Sequence, residues 1–152
     1  MSGLATAPGI RSDETQKESM LLEKTQQLTL RAALDRIIPP DDYPGAWEAG
    51  VGDYLARQWE GDLRHTLPLY RAGLDALHAE ALAQFGVGFA ALDAGKQDAI
   101  LRNVESGDVR ANWPVAPQEF FSLLVSHAAE GYYSDPGNGG NRNAVSWDMV
   151  GF

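Results

Sequence analysis

Apolar residues recur at three- and four-residue spacing along most of this chain, and proline or glycine interrupts each run. The first run contains Leu30, Leu34 and Ile37, and it ends at Pro39-Pro40. The spacing is that of one helix face. Proline ends a helix because it lacks an N–H donor and because the residue before it avoids the helical region. No strand-like alternation persists for more than a few residues, so the pattern predicts an all-α protein.

Four further helical segments follow from the same pattern. We predict helices over 46–59, over 62–85 with Pro68 near its start, between Asp93 as N-cap and Gly107 as terminator, and from Pro117 to Gly131. The predicted apolar faces are Val51, Tyr54, Leu55 and Trp59; Leu67, Tyr70, Leu74, Leu77, Ala81 and Phe85; Ile100, Leu101 and Val104; and Phe120, Phe121, Leu124, Val125 and Ala128. The predicted fold is a compact bundle of about five helices with an irregular C-terminal extension rich in Gly and Asn.

The length and composition indicate one domain that needs no covalent staples. A chain of 152 residues is one domain by default. Residues 1–25 are mostly polar, so we expect a flexible N-terminal arm there and a single helical domain over 26–152. Cysteine is absent, which excludes disulfides, thiolate metal sites and a cysteine nucleophile in this chain.

The charge of the chain excludes two classes of partner. The formal net charge is -9 at pH 7, and no Lys/Arg stripe is present, so nucleic acid is not an expected partner. The same charge argues against an anionic membrane surface, and no apolar run approaches the ~20 residues that span a bilayer. No export signal is visible in the chain as given, which leaves a cytoplasmic or a periplasmic location open.

Two Asp-x-x-His pairs are the strongest candidates for chemistry. Asp62 and His65, like Asp75 and His78, have the spacing that puts a carboxylate and an imidazole on one side of a helix. Metal sites in helix bundles use Glu-x-x-His in this way together with a Glu from each of two further helices. The chain contains no Glu-x-x-His, so solvated helix pairs are the favoured interpretation, and an independent metalloprotein is an alternative. We expect no catalytic, cofactor-binding or metal-binding residue in this chain.

A proline-framed acidic turn and a C-terminal loop remain conspicuous. Asp41-Asp42 could bind a cation, but such a pair more often forms a turn or caps the next helix.

The loop after Gly131 is rich in Gly and Asn, and large aromatic residues flank it. Its Asp and Asn spacing does not match that of an EF-hand. His127 is expected to be a partly buried helix residue. Exposed aromatic anchors beside close-approaching backbone suit a docking surface. The predicted partner interface comprises Asp41, Asp42, Tyr132, Tyr133, Asp135, Asn141, Arg142 and Trp147, and a core role is equally open for Tyr132 and Trp147.

Several motifs together resemble those of the gluconate 2-dehydrogenase subunit 3 family. The resemblance covers about residues 28–152. It rests most on an Ile-Ile-Pro-x-Asp-Asp-x-Pro-Gly-Ala turn over 37–46 and on an Asp-Pro-x-x-Gly-Gly-Asn-Arg loop over 135–142. Asn138 and Ser146 depart from the pattern, which usually shows an aromatic residue and a glycine there. Similar segments elsewhere are 70–77, 85–86, 120–124 and 131–136, with Trp147 and Gly151-Phe152.

The resemblance implies a non-catalytic small subunit that binds and stabilises a large flavoprotein of the glucose–methanol–choline (GMC) class. That partner would hold FAD and oxidise a sugar, a sugar acid or a glycoside, and some such complexes add a cytochrome c subunit. No cofactor is expected in the small subunit itself. The family often carries a twin-arginine export signal, which is not visible here. A stand-alone protein-binding module is the remaining alternative.

Overall fold

The computed structural model describes residues 21–134 and residue 140, and this part of the chain is a bundle of five α-helices without a strand. The predicted all-α fold is therefore confirmed. The predicted Gly/Asn-rich extension lies outside the described residues except for Gly140. Two short 3-10 turns, Arg64–Thr66 and Phe89–Ala91, lie on either side of the third helix. The helices are α1 Lys24–Ile37, α2 Val51–Trp59, α3 Leu67–Phe85, α4 Ala94–Ser106 and α5 Pro117–Tyr132.

The predicted ends of α4 and the start of α5 are confirmed by their local geometry. The Asp93 carboxylate accepts a hydrogen bond of 2.9 Å from the Lys96 amide, as an N-cap does. Gly107 follows α4 with φ of 81°, a left-handed conformation that favours glycine. Pro117 occupies the first turn of α5, where its missing N–H leaves no helical bond unmade.

Three predicted boundaries are wrong. The second helix begins at Val51, because residues 46–50 form a turn that ends on Gly50 with φ of 96°. The third begins at Leu67, after turns over 60–66. The last continues through Gly131 to Tyr132. Gly131 does not terminate the helix; it lets α5 approach α2, since a Cβ there would lie 2.9 Å from the ring of Tyr54.

The core is one cluster of buried side chains to which all five helices contribute. Most of the predicted apolar faces are buried, which confirms the helical period as the guide to the core. Ile37, Leu67 and Phe121 are partly buried against the core, and Phe85 and Val125 are exposed over 39% and 37% of their surface. The fully buried residues of the core include Leu34, Leu55, Tyr70, Leu74, Leu77, Ile100 and Leu124.

The segment before α1 packs onto α3. Leu22 is buried, and the Arg71 guanidinium donates to the Leu21 carbonyl at 2.9 Å. Glu23 and Gln26 form a reciprocal capping box at the start of α1. Of the arm predicted over residues 1–25, positions 1–20 lie outside the described residues.

A buried carboxylate holds the connector between α4 and α5. Glu80 is fully buried on α3. Its oxygens accept hydrogen bonds from the amides of Arg110 and Ala111 at 2.7 and 2.9 Å, from the Trp113 indole at 3.0 Å, and from Gln84 at 2.6 Å. Burial by itself raises the pKa of this carboxyl, but the four hydrogen bonds outweigh burial and hold the pKa below its ordinary value. The charged form of Glu80 is therefore part of the native fold.

We predict that Glu80→Gln lowers the free energy of unfolding by about 2 to 4 kcal/mol, because an amide group would face the connector's N–H donors. Chemical denaturation at neutral pH measures this. Glu105→Gln, at an exposed position of α4, is the matched control and should change stability little. Because the folded pKa lies below the unfolded value, the wild type should also lose stability as the pH falls below about 4.5, and the variant should lose less. If Glu80→Gln and Glu105→Gln have equal free energies of unfolding, the buried carboxylate does not hold the connector.

Candidate docking surface

The acidic turn between α1 and α2 is closed by its own first aspartate. The Tyr43 amide donates to the Asp41 carboxylate at 2.9 Å, and the Asp41 amide donates to the Tyr43 carbonyl at 3.0 Å. Neither aspartate caps α2, whose N-cap is Gly50 without a side-chain bond. The helix-capping role expected for this pair is therefore wrong, and the turn role is confirmed. Asp42 and Tyr43 remain exposed.

The rest of the turn is fastened to α1. The Asp35 carboxylate accepts from the Trp47 amide at 2.9 Å, and the Ala46 amide donates to the Ile38 carbonyl at the same distance. Gly45 is required by close packing, since a Cβ there would lie 2.8 Å from the Pro40 ring. These contacts fix the backbone that presents the two aspartates.

Tyr132 connects this turn to the end of α5. Its side chain is 1% exposed, and its hydroxyl donates to the Pro44 carbonyl at 2.8 Å. Burial raises the pKa of this phenol, and the neighbouring Tyr133 and Asp41 raise it further, so the hydroxyl keeps the proton that it donates. Of the two roles left open for Tyr132, the structure places it in the core as a brace under the turn.

Tyr133 lies on the outer side of this brace. Its ring packs edge-on against Tyr132, with 5.3 Å between ring centroids, and 54% of its surface is exposed. Four of the predicted interface residues therefore lie close together in the fold: Asp41, Asp42, Tyr132 and Tyr133. The other four, Asp135, Asn141, Arg142 and Trp147, lie outside the described residues, and their roles stay predictions.

Gly140 shows where one point of the C-terminal chain lies. It is buried, and a Cβ there would collide with the Gly131 carbonyl and lie 3.1 Å from the Ser134 hydroxyl. Ser134 itself donates to that carbonyl at 3.0 Å. Residue 140 therefore packs against the last turn of α5, beside the brace.

A buried Tyr–His pair holds α5 on α3. The Tyr70 hydroxyl and His127 Nδ1 are 2.9 Å apart, and the two rings are stacked. The sequence placed His127 in a partly buried position but missed its partner, although Tyr70 lies on the predicted apolar face. Burial lowers the pKa of His127; Glu130 opposes the shift, and His65 adds to it.

The Asp-x-x-His pairs have ordinary structural surroundings. Asp62 and His65 are exposed in turns and not on an α-helix, so the predicted helical geometry is wrong for them. Asp75 accepts a hydrogen bond of 3.0 Å from Gln26, and His78 packs beside Gly88. Among the described residues, no group of three or more His, Asp and Glu side chains could hold a metal ion.

Two open grooves border α1, and each mixes apolar with charged side chains. Their volumes are about 390 and 400 Å³. Arg36 lines both, and Asp98 holds it through two hydrogen bonds of 2.8 and 3.0 Å. Mixed, open grooves of this kind suit a protein surface better than the enclosed apolar pocket of a small ligand.

Comparison with known proteins gives one match. The family model described as Gluconate 2-dehydrogenase subunit 3 matches residues 24–152, which includes all five helices and the docking surface. No curated protein and no solved structure matches the chain. None of the described helices is long and apolar enough to cross a membrane.

Removing the Tyr132 hydroxyl tests the brace. Tyr132→Phe keeps the buried ring but loses the hydrogen bond to the Pro44 carbonyl, and we expect the free energy of unfolding to fall by about 1 kcal/mol. Tyr133→Phe is the matched control: its ring is exposed, so the same change should have little effect. Urea denaturation of the two variants measures the difference, and equal effects would show that the hydroxyl does not stabilise the turn.

The buried histidine predicts sensitivity to mild acid. Since the folded pKa of His127 lies below its ordinary value of 6.5, the unfolded chain takes up a proton first as the pH falls. Stability should therefore decrease from about pH 6.5 down to the folded pKa. Urea denaturation between pH 8 and pH 5 measures this slope. His127→Gln should flatten it, whereas His65→Gln, at an exposed position, should largely retain it. A slope that survives in His127→Gln would assign it to another group.

Proposed function

The chain belongs to the gluconate 2-dehydrogenase subunit 3 family, and on that premise we propose that it is the non-catalytic small subunit of an FAD-dependent GMC-type oxidoreductase. The family is one of accessory subunits of dehydrogenase complexes. In our proposal the large subunit holds FAD and oxidises a sugar, a sugar acid or a glycoside, and the small subunit binds and stabilises it. A cytochrome c subunit would accept the electrons in those complexes that contain one.

The family match over residues 24–152 is the observation that carries this proposal. It spans the helices Lys24–Ile37 to Pro117–Tyr132 and not one motif, so the acidic turn and the end of α5 fall within the match. The resemblance noted in the sequence is thereby confirmed at the level of the family. The particular partner, the cofactor of that partner and the substrate are part of the proposal.

The geometry of the docking surface supports a binding role. The Asp41 carboxylate is bonded within its own turn, and Asp42 is exposed beside it, so the turn presents negative charge at the surface. Hydrogen bonds to α1 and to Tyr132 hold the same turn, and its own Tyr43 and the neighbouring Tyr133 are exposed. A surface that is ordered before binding loses less conformational entropy on association, which favours affinity.

Co-purification tests the proposal. We expect the tagged chain, co-expressed with a candidate large subunit of the GMC class, to purify as a one-to-one complex that contains flavin and reduces dye with sugar. The chain purified alone should bind no flavin and reduce no dye. The yield of folded large subunit should also fall when the small subunit is omitted.

The contrary outcomes are distinct. A large subunit that is folded, flavin-loaded and never bound to this chain would refute the proposal. Flavin or dye reduction in the isolated chain would refute the non-catalytic role. Consistent recovery of a different class of protein would instead favour a stand-alone binding module.

A further inference from the structure

We propose that Tyr43 and Tyr133 form a docking surface for an arginine-bearing face of the large subunit, with Asp41 and Asp42 as the charged partners of those arginines. This inference rests on the proposed function and adds the chemistry of the contact. Below, these four residues are called the tyrosine–aspartate surface.

The two tyrosine rings are exposed, although other tyrosines of this fold are buried in the core. Tyr43 and Tyr133 are 37% and 54% exposed, whereas Tyr70 and Tyr132 are almost fully buried. An amphipathic ring that is held at the surface offers a large contact area with few rotatable bonds, which is why tyrosine is enriched at the centre of interfaces.

Both rings are attached to the same brace. Tyr133 packs edge-on against Tyr132, and the Tyr132 hydroxyl is bonded to the carbonyl of Pro44, the residue after Tyr43. Asp41 belongs to the same turn, because its carboxylate and its amide are both hydrogen-bonded to the Tyr43 backbone. The tyrosine–aspartate surface is therefore one rigid patch made from two distant parts of the chain.

The charged side chains of the patch itself are Asp41 and Asp42, and both are acidic. Residues 37–56, which carry the acidic turn, and residues 111–134, which carry α5, contain no lysine and no arginine. The acidic residues of these two segments are Asp41, Asp42, Glu48, Asp53, Glu119 and Glu130. A surface of this kind attracts a cationic face and repels an acidic one. Such complementary charge raises the association rate and fixes the orientation of the two proteins.

Arginine fits this patch better than lysine does. A guanidinium is planar, so it can stack on a tyrosine ring and still form two parallel hydrogen bonds to a carboxylate. The exposed Asp42 lies next to Tyr43 in the chain. One arginine of the partner could therefore contact both the Asp42 carboxylate and the Tyr43 ring. A lysine ammonium can contact either the carboxylate or the ring, but it lacks the planar geometry that contacts both at once.

The test uses the complex of this chain with its co-purifying large subunit. Asp41→Asn/Asp42→Asn removes both charges and keeps an oxygen at position 41 to accept from the Tyr43 amide. We expect it to weaken binding by about tenfold or more and to reduce the dependence of the dissociation constant on salt. Tyr43→Leu/Tyr133→Leu keeps apolar bulk but removes the aromatic faces, and it should weaken binding comparably.

The matched control is Asp62→Asn/Asp108→Asn, which also removes two charges, at exposed positions outside the two grooves beside α1. Asp108 follows the end of α4. That end lies at the opposite end of α5, because a Cβ on Gly107 would collide with Gln118, and at 1.5 Å per residue it is about 20 Å along the helix from Tyr132. The control should change the dissociation constant less than twofold. All three variants should melt at the wild-type temperature when isolated, since the exchanged side chains are exposed.

Arginine-specific labelling identifies the partner group. Phenylglyoxal, followed by mass spectrometry of the large subunit, should find arginines that the wild-type small subunit protects and that Asp41→Asn/Asp42→Asn leaves reactive. If the complex forms but the charge variant binds like wild type, or if lysines and not arginines are protected, this inference is wrong and the proposed function stands. If no complex with a flavoprotein forms at all, both are wrong.

Discussion

Tyr70 is the point at which three of the helices meet. Its ring lies 4.9 Å from that of Trp59 on α2, 5.9 Å from Phe120 and 5.7 Å from His127 on α5, measured between centroids. The Tyr70 hydroxyl is buried among apolar groups, but its hydrogen-bonding capacity is satisfied by His127. Aromatic contacts of this kind fix relative orientation as well as burying area. The position of α5 on α3 follows from them.

The position of α5 in turn decides what the surface presents. Tyr132 lies at the end of this helix, and its hydroxyl reaches the Pro44 carbonyl only if α5 has the angle and depth that the Tyr70 contacts give it. Gly131 allows the same approach from the side of α2. The turn, which hydrogen bonds already fasten to α1, is thereby also held from the side of α5. The buried Tyr132 therefore positions both exposed rings: Tyr43 through the Pro44 carbonyl, and Tyr133 through ring packing.

This arrangement separates stability from recognition. The buried groups, such as Glu80, His127 and Tyr132, hold the bundle and its connectors, and the exposed groups around the turn are free to meet another protein. Such a separation leaves the exposed groups able to contact a partner without changing the groups that hold the bundle. The mixed, open grooves beside α1 suit contact with a protein surface.

The sequence by itself determined the helical class, most of the core and several helix ends. Apolar spacing, the Asp93 cap, Gly107 and Pro117 are local signals, and local signals survive without tertiary information. The motif turn over 37–46 was also visible, because its proline and glycine restrict the backbone directly. The same rules failed at Ala46 and Gly131. Composition allowed a helix start and a helix end there, but packing against other elements decided otherwise.

Only the tertiary structure decided which polar side chains are structural. Glu80 looks like a surface residue of α3, yet backbone amides from a connector 30 residues away satisfy it in the core. His127 and Tyr70 are 57 positions apart, and Tyr132 and Pro44 are 88 apart. Helical periodicity gives the side of a helix that is buried, but it does not give the group that will face it. Those pairings arise when the helices pack, and they turn two separate motifs into one rigid surface.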